Sequence, residues 1–226
     1  MTAVTLKPAC AAQSDNHVLL APNNQLHSSM TLLRNKETSH RDFVLAFQKV
    51  AAQLVAKALD FVPVEVETIV TPTGTSYTGC KQTAKVCGIS ILRAGASLED
   101  AFRNAYNGPV SFGKLLIQRD EETALPKYLY SKFPSGMSQS IVFLLEPMLA
   151  TGGSICKAVE LVMERGVPES NIVIVNVMSS RFALSVVADR FPQLKIVTAA
   201  IDETLNSQKF IEPGLGDFGD RFYCTD

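Results

Sequence analysis

The sequence predicts an α/β fold built on a mainly parallel, twisted sheet flanked by helices. Three observations carry that expectation. Apolar runs of strand length alternate along the chain with segments of helical periodicity, the pattern of right-handed β–α–β crossovers. One run, Ile141-Val142-Phe143-Leu144-Leu145, is apolar at every position, as suits a strand covered on both faces. That run continues through Glu146 into Ala150-Thr151-Gly152-Gly153-Ser154 and then a helical stretch. Backbone N–H groups and hydroxyls at the start of a helix form a cradle for one phosphate.

Taken in order, residues 1–24 read as a loosely ordered, polar arm, and 25–226 as a single domain. Ser39 and Asp42 mark a helix start, and apolar residues recur at helical spacing from Phe43 to Leu59. Val64–Val70 alternates apolar with polar residues and predicts an edge or half-exposed strand. Thr71–Gly79 reads as a loop. Val86–Leu92 is a strand, Arg93–Ser97 the loop after it, and Leu98–Tyr106 a helix closed by Asn107-Gly108-Pro109. Val110–Gln118 is the next strand. Arg119–Gln139 is a long polar excursion, a hairpin or flap over the site. After the central strand and loop come a helix over Ile155–Arg165, a strand over Ile172–Val177, a helix over Arg181–Asp189 and a strand over Ile196–Ile201. The last twenty-five residues read as loop.

Composition narrows the function. A chain of 226 residues that is 46% hydrophobic has enough apolar material for a sizeable core. A net charge of -1 gives no general attraction to nucleic acid or to membranes, so an anionic ligand must be met by local groups. The five cysteines form no C-x-x-C pair and fit a reduced, cytoplasmic protein. The three histidines all precede residue 41, away from the cysteines, which argues against zinc. No apolar run is long enough for a membrane helix. Three tempting motifs fail on context. Gly214-x-Gly-x-x-Gly219 has no room after it for a dinucleotide fold, and Asp217-Phe218-Gly219 has no kinase around it. Gly74-x4-Gly79 lacks the Lys-Ser/Thr ending of a phosphate loop.

Several segments together resemble the uracil phosphoribosyltransferases. Glu146-Pro147-Met148-Leu149-Ala150-Thr151-Gly152-Gly153-Ser154 resembles that family's phosphoribosyl-diphosphate motif. Pro213 to Arg221 is similar to its uracil-binding loop. Ile91–Gly95, Arg119–Thr123 and Thr31–Thr38 match further segments, in consistent order from about residue 25 to the end. The resemblance implies a type I phosphoribosyltransferase-like fold with a flap excursion and a C-terminal base-binding loop. It implies uracil and 5-phosphoribosyl 1-diphosphate (PRPP) as substrates, UMP and diphosphate as products, and Mg²⁺ as cofactor. It also implies a homodimer or homotetramer, with GTP as an effector in some members.

The same resemblance assigns roles. Pro147–Ser154 would hold PRPP, with Ala150–Ser154 on the 5′-phosphate and Glu146 on the ribose hydroxyls. Arg93 and Arg119 would meet the diphosphate with guanidinium forks that suit its oxygens. The peptide after Arg93 is expected to be cis. The backbone at Ile211, Gly216 and Phe218 would read uracil. Asp217 would stand between base and diphosphate, either ordering Mg²⁺ or water or assisting N1 deprotonation. No direct protein ligand for the metal follows. Taken alone, each residue has a plainer reading: Arg93 a surface ion pair, Arg119 part of a charge cluster with Asp120, Glu121 and Glu122, Cys156 a core residue, Asp217 a turn residue. The chain departs from the family pattern at Glu146 (usually Asp), at Phe210 (usually Tyr), over Met178–Arg181 and at Cys224. The rival expectation is a non-catalytic nucleotide-binding regulator that keeps the fold.

Overall fold

The computed structural model describes residues 16–119 and 126–225, apart from the Arg119 side chain. The chain enters through β1 (His17–Leu19), which lies parallel to a later strand, with Ile196 N–H donating to the Asn16 carbonyl at 2.8 Å. The described part of the expected arm therefore extends the sheet; residues 1–15 lie outside the described residues. The short His-Val-Leu run satisfies an otherwise open strand edge. The next element is α1 (Asn24–Arg34), capped by the Asn23 side chain. Then α2 (His40–Ala58) starts on Ser39, whose hydroxyl accepts from the Asp42 N–H. Its buried stripe, including Phe43, Phe47, Val50, Leu54 and Val55, follows the helical spacing of the sequence.

β2 (Glu65–Val70) and β3 (Ser76–Lys81) form a separate antiparallel hairpin. Nearly all of it is exposed on both faces, so the alternation in 64–70 does not mark a half-buried strand of the main sheet. The expected loop 71–79 is a tight turn around Gly74 followed by β3. β4 (Val86–Leu92), a short 3-10 turn over Ala94–Leu98, α3 (Glu99–Ala105) and β5 (Val110–Arg119) come next. β6 (Pro126–Lys132) returns antiparallel on β5, so the polar excursion is a hairpin. Its turn, with Asp120–Thr123, lies outside the described residues.

The central segment is β7 (Ile141–Leu145), β8 (Met148–Leu149) and α4 (Gly153–Met163). β9 (Ile172–Ser180), α5 (Arg181–Arg190) and β10 (Lys195–Asp202) follow. The expected C-terminal loop holds a two-stranded ladder, β11 (Thr204–Leu205) with β12 (Ile211–Glu212), and α6 (Phe218–Tyr223). Two signals mark α6. Asp217 caps it through the Asp220 N–H at 3.0 Å, and Phe218 and Phe222, four apart, stack on each other and meet Phe47 edge-on.

The main sheet runs β1-β10-β9-β7-β4-β5-β6, with β8 on β9, and only β6 is antiparallel. β7 is fully flanked. Its Phe143 and Leu145 join the core beneath α2 and α3, while Val142 and Leu144 join the core beneath α4 and α5. That two-sided burial is what the uninterrupted apolar run required. The parallel order also brings the carboxyl ends of β4, β5, β7, β9 and β10 to one edge, where open α/β sheets bind ligands.

Candidate active site

Two adjoining cavities, of about 350 and 330 Å³, open at that edge. They share Ala94, Glu146, Met148, Ala150 and Asp217. Each has the size of a small-molecule pocket.

The first site wall grows from the end of β7. The Glu146 N–H donates to the Val175 carbonyl at 3.2 Å, and a Glu146 carboxylate oxygen accepts from the Met148 N–H at 3.4 Å. Glu146 lines both cavities. Thr151, Gly152 and Ser154 line the 330 Å³ cavity. Gly152, at φ 81°, caps α4, which begins two residues earlier than its apolar stripe suggests. A helix start exposes N–H groups with no intrahelical acceptor and a positive dipole end, which suits an anion.

Two buried residues hold this wall: Asn176, which no sequence expectation names, and Ser180, which figures only within the departure over Met178–Arg181. The Asn176 side-chain amide donates to the carbonyls of Glu146, Pro147 and Met178 at 3.1, 2.9 and 3.0 Å. Its oxygen accepts from the Thr198 hydroxyl at 2.7 Å. The Ser180 hydroxyl caps α5 by accepting from the Ala183 N–H at 2.9 Å and donates to the Ala150 carbonyl at 2.5 Å. A lone Asn inside the apolar run Ile172–Val177 was the available signal for the first.

Arg93 follows β4 and lines the same cavity. The cis peptide lies between Leu92 and Arg93, so it precedes Arg93 rather than following it, at the point where the strand ends. The Arg93 guanidinium pairs with Asp220 at 3.0 Å, donates to the Thr225 hydroxyl at 3.2 Å and lies over the Tyr223 ring. The Tyr223 hydroxyl donates to the Arg93 carbonyl at 3.0 Å; burial, helped by the Glu99 charge, pushes this phenol up, so it stays a donor. Asp220 is held below the usual carboxylate range, by the Thr225 hydroxyl first and Arg93 next. The surface ion pair expected of Arg93 in isolation is thus present, within the cavity wall. The Arg119 backbone ends β5 in register with Pro126; its side chain lies outside the described residues.

The 350 Å³ cavity is walled by Phe210, Ile211, Gly216, Asp217 and Phe218. Gly216 takes φ 83°, open to glycine with little penalty. Phe218 is buried against Phe43 and Phe47, which fixes its backbone while its ring faces the core. Phe210 is 45% exposed at the rim. Asp217 has both readings at once: it caps α6 and borders both cavities. Pro147 is absent from both cavity linings; its carbonyl accepts from the Val177 and Met178 N–H groups, so it supports the turn from behind. Leu149 is buried and borders only the 330 Å³ cavity.

Among the described residues, no group of three or more His, Cys, Asp or Glu side chains forms a metal site. A magnesium ion does not need one. It keeps several waters and rests on one or two carboxylates plus substrate phosphates. Asp217, which lines the 330 Å³ cavity, fits that donor set.

Comparison with known proteins shows what the chain is similar to. The family model described as uracil phosphoribosyltransferase matches residues 20–225. The chain is 46% identical to a uracil phosphoribosyltransferase of Dictyostelium discoideum, covering 94% of this chain and 98% of that one. It is 44% identical to one of Saccharomyces cerevisiae, with 93% and 97% covered. Among solved structures, the AQ2163 protein from Aquifex aeolicus superposes with a TM-score of 0.81 at 28% identity, over 93% of this chain and 99% of that one. An adenine phosphoribosyl transferase from Trypanosoma brucei, 13% identical, shares the fold at a TM-score of 0.53, over 89% and 88% of the two chains.

Proposed function

The chain belongs to the uracil phosphoribosyltransferase family, and from that premise we infer that it joins uracil to PRPP, giving UMP and diphosphate. The observation that carries the site assignment is the pair of cavities meeting at Glu146 and Asp217. One is bordered by a helix-start anion cradle, the other by a loop of main-chain polar groups. No observation favours the non-catalytic alternative.

We propose the following roles. Ala150–Ser154 hold the 5′-phosphate through N–H groups and hydroxyls at the start of α4. Glu146 accepts hydrogen bonds from the ribose hydroxyls. Arg93 turns from Asp220 to the diphosphate, joined by Arg119, and offsets charge as that group leaves. The backbone at Ile211, Gly216 and Phe218 meets the acceptor–donor–acceptor edge of uracil. Cytosine places a donor against a donor there, at a cost of about 1–3 kcal/mol per unpaired buried group. The bond from C1′ to diphosphate breaks, the bond from C1′ to N1 forms, and N1 loses its proton. Asp217 lies close enough to both cavities to accept that proton or to order a water. Mg²⁺, arriving with PRPP, supplies charge neutralisation at the diphosphate. The protein's share is positioning and electrostatic stabilisation of an oxocarbenium-like ribose.

We further propose a homodimer or homotetramer. The hairpin of β2 and β3 supports it: Val66, Ile69, Val70 and Tyr77 are exposed, and an isolated two-stranded hairpin is marginal in water. A cytoplasmic site accords with the scattered cysteines, and no described helix is long and apolar enough to cross a membrane. A GTP response is read by adding GTP to the assay. The assay itself measures UMP formed from uracil, PRPP and Mg²⁺. Tight binding of uracil or UMP without turnover would overturn the enzymatic reading.

A further inference from the structure

Behind the base-reading loop, three groups close a ring. Arg34, the last residue of α1, grips the Asp202 carboxylate with both terminal guanidinium nitrogens, at 2.7 and 2.8 Å. The same Asp202 oxygen that meets Arg34 Nη1 accepts from the Gly214 N–H at 2.9 Å. Arg34 Nη1 also donates to the Gly214 carbonyl at 3.0 Å. Both polar groups of one glycine are therefore fixed by one ion pair. Gly214 has φ 59°, and a Cβ there would meet the Ile211 carbonyl oxygen at 2.1 Å, so only glycine fits. Asp202 is 6% exposed and ends β10, part of the rigid sheet. A second arginine ties the same loop to the same helix end. Arg221 donates to the carbonyl of Leu215 at 2.7 Å, to that of Asn35 at 2.8 Å, and to that of Leu33.

Neither Arg34 nor Asp202 borders either cavity. Gly216, two residues beyond Gly214, does border the base cavity. We infer that Arg34 and Asp202 are positioning residues for base recognition, holding Gly214 so that the peptides at Gly216 and Phe218 present the uracil-complementary edge. A loop that reads a base with its main chain has no side chain to adjust. Its selectivity depends on how firmly the backbone is oriented before the base arrives. The planar fork of Arg34 meets two carboxylate oxygens and a carbonyl together, which a lysine cannot do. The inference rests on the assignment of Ile211–Phe218 as the base reader, and the test separates the two.

Asp202→Asn, Arg34→Lys and Gly216→Ala enzymes are compared with wild type by steady-state kinetics, with KM measured for uracil and for PRPP. Asp202→Asn keeps an acceptor for the Gly214 N–H but loses the charge pair; Arg34→Lys keeps the charge but loses the fork. The expected result is a uracil KM raised about tenfold or more in either variant, with PRPP KM within about twofold of wild type. The preference for uracil over cytosine falls in parallel. An unchanged uracil KM in both, while Gly216→Ala raises it, overturns the positioning role and leaves the base reader standing. An unchanged uracil KM in all three overturns the base reader and the positioning role together. A parallel rise in both KM values shows a general structural role instead and also overturns the inference. Either substituted pair member suffices, so loss of one to misfolding leaves the other to decide.

Discussion

Replacing Ser180 by alanine removes two bonds at one buried point, and the consequence can be worked through. The hydroxyl accepts from the Ala183 N–H and donates to the Ala150 carbonyl, and Ser180 and Ala183 are fully buried. Loss of a helix cap costs about 1 kcal/mol. Loss of the bond to Ala150 costs roughly another 1 kcal/mol, because its carbonyl keeps its desolvation without its partner. For a domain of this size about 2 kcal/mol lowers the melting midpoint by roughly 4–8 °C. Ala150 begins the segment proposed to hold the 5′-phosphate, so freeing its carbonyl should also loosen residues 150–154. The assay pairs thermal denaturation with PRPP kinetics: a lower midpoint and a several-fold higher PRPP KM, with uracil KM little changed. Ser185→Ala is the control in the same helix, since Ser185 is exposed and its hydroxyl meets Asp189 at a long 3.5 Å. A Ser180→Ala midpoint within about 1 °C of wild type, with unchanged PRPP KM, would refute the reasoning.

Other expectations are equally direct. Arg93→Ala lowers kcat by about 10²–10³ through lost stabilisation of the leaving diphosphate. Its ion pair with Asp220 is 57% and 39% exposed and screened by solvent, so the melting midpoint should change little; an unchanged kcat would remove Arg93 from the site. Glu146→Asp should keep or raise activity, since a shorter carboxylate can still reach the ribose in the proposed role; a large loss in the UMP assay would show that the pocket has adapted to Glu. Asp202 predicts an acid dependence of stability. Burial alone raises its carboxyl, but the Arg34 and Gly214 hydrogen bonds with the Arg34 charge outweigh it and hold it below the ordinary value. A depressed folded pKa means a contribution present above the unfolded value, about 3.9, and lost as pH falls through the folded one. Wild type should therefore lose more of its melting midpoint than Asp202→Asn as pH drops from about 6 to 3. Glu203, lowered by Arg181, and Asp220 titrate in both proteins, so equal losses would contradict the Asp202 assignment.

Elements with one strong local signal were legible. The run Ile141–Leu145 had to be covered on both sides, and the helix over 40–58 announced its cap and its stripe. Elements were missed where the stabilising partner was distant. β1 is three residues long and exists because β10 offers an edge. β3 reads as loop because it buries nothing, and α6 depends on Phe43 and Phe47 of a helix far earlier in the chain. The cis peptide precedes Arg93, one bond before the position that the family resemblance implies.

By itself, the sequence determined the order of the motifs, the two-faced central strand and the anion cradle after it. Those features sit within single strand–turn–helix units, where residue type dictates backbone geometry directly. The tertiary structure alone decided that Asp217 borders both cavities and that Arg93 meets Asp220. It alone decided that Arg34 reaches across 168 positions to Asp202 and Gly214. Such pairings depend on which strands are neighbours in the sheet, and strand order follows from packing both faces of the sheet at once, which no local pattern encodes.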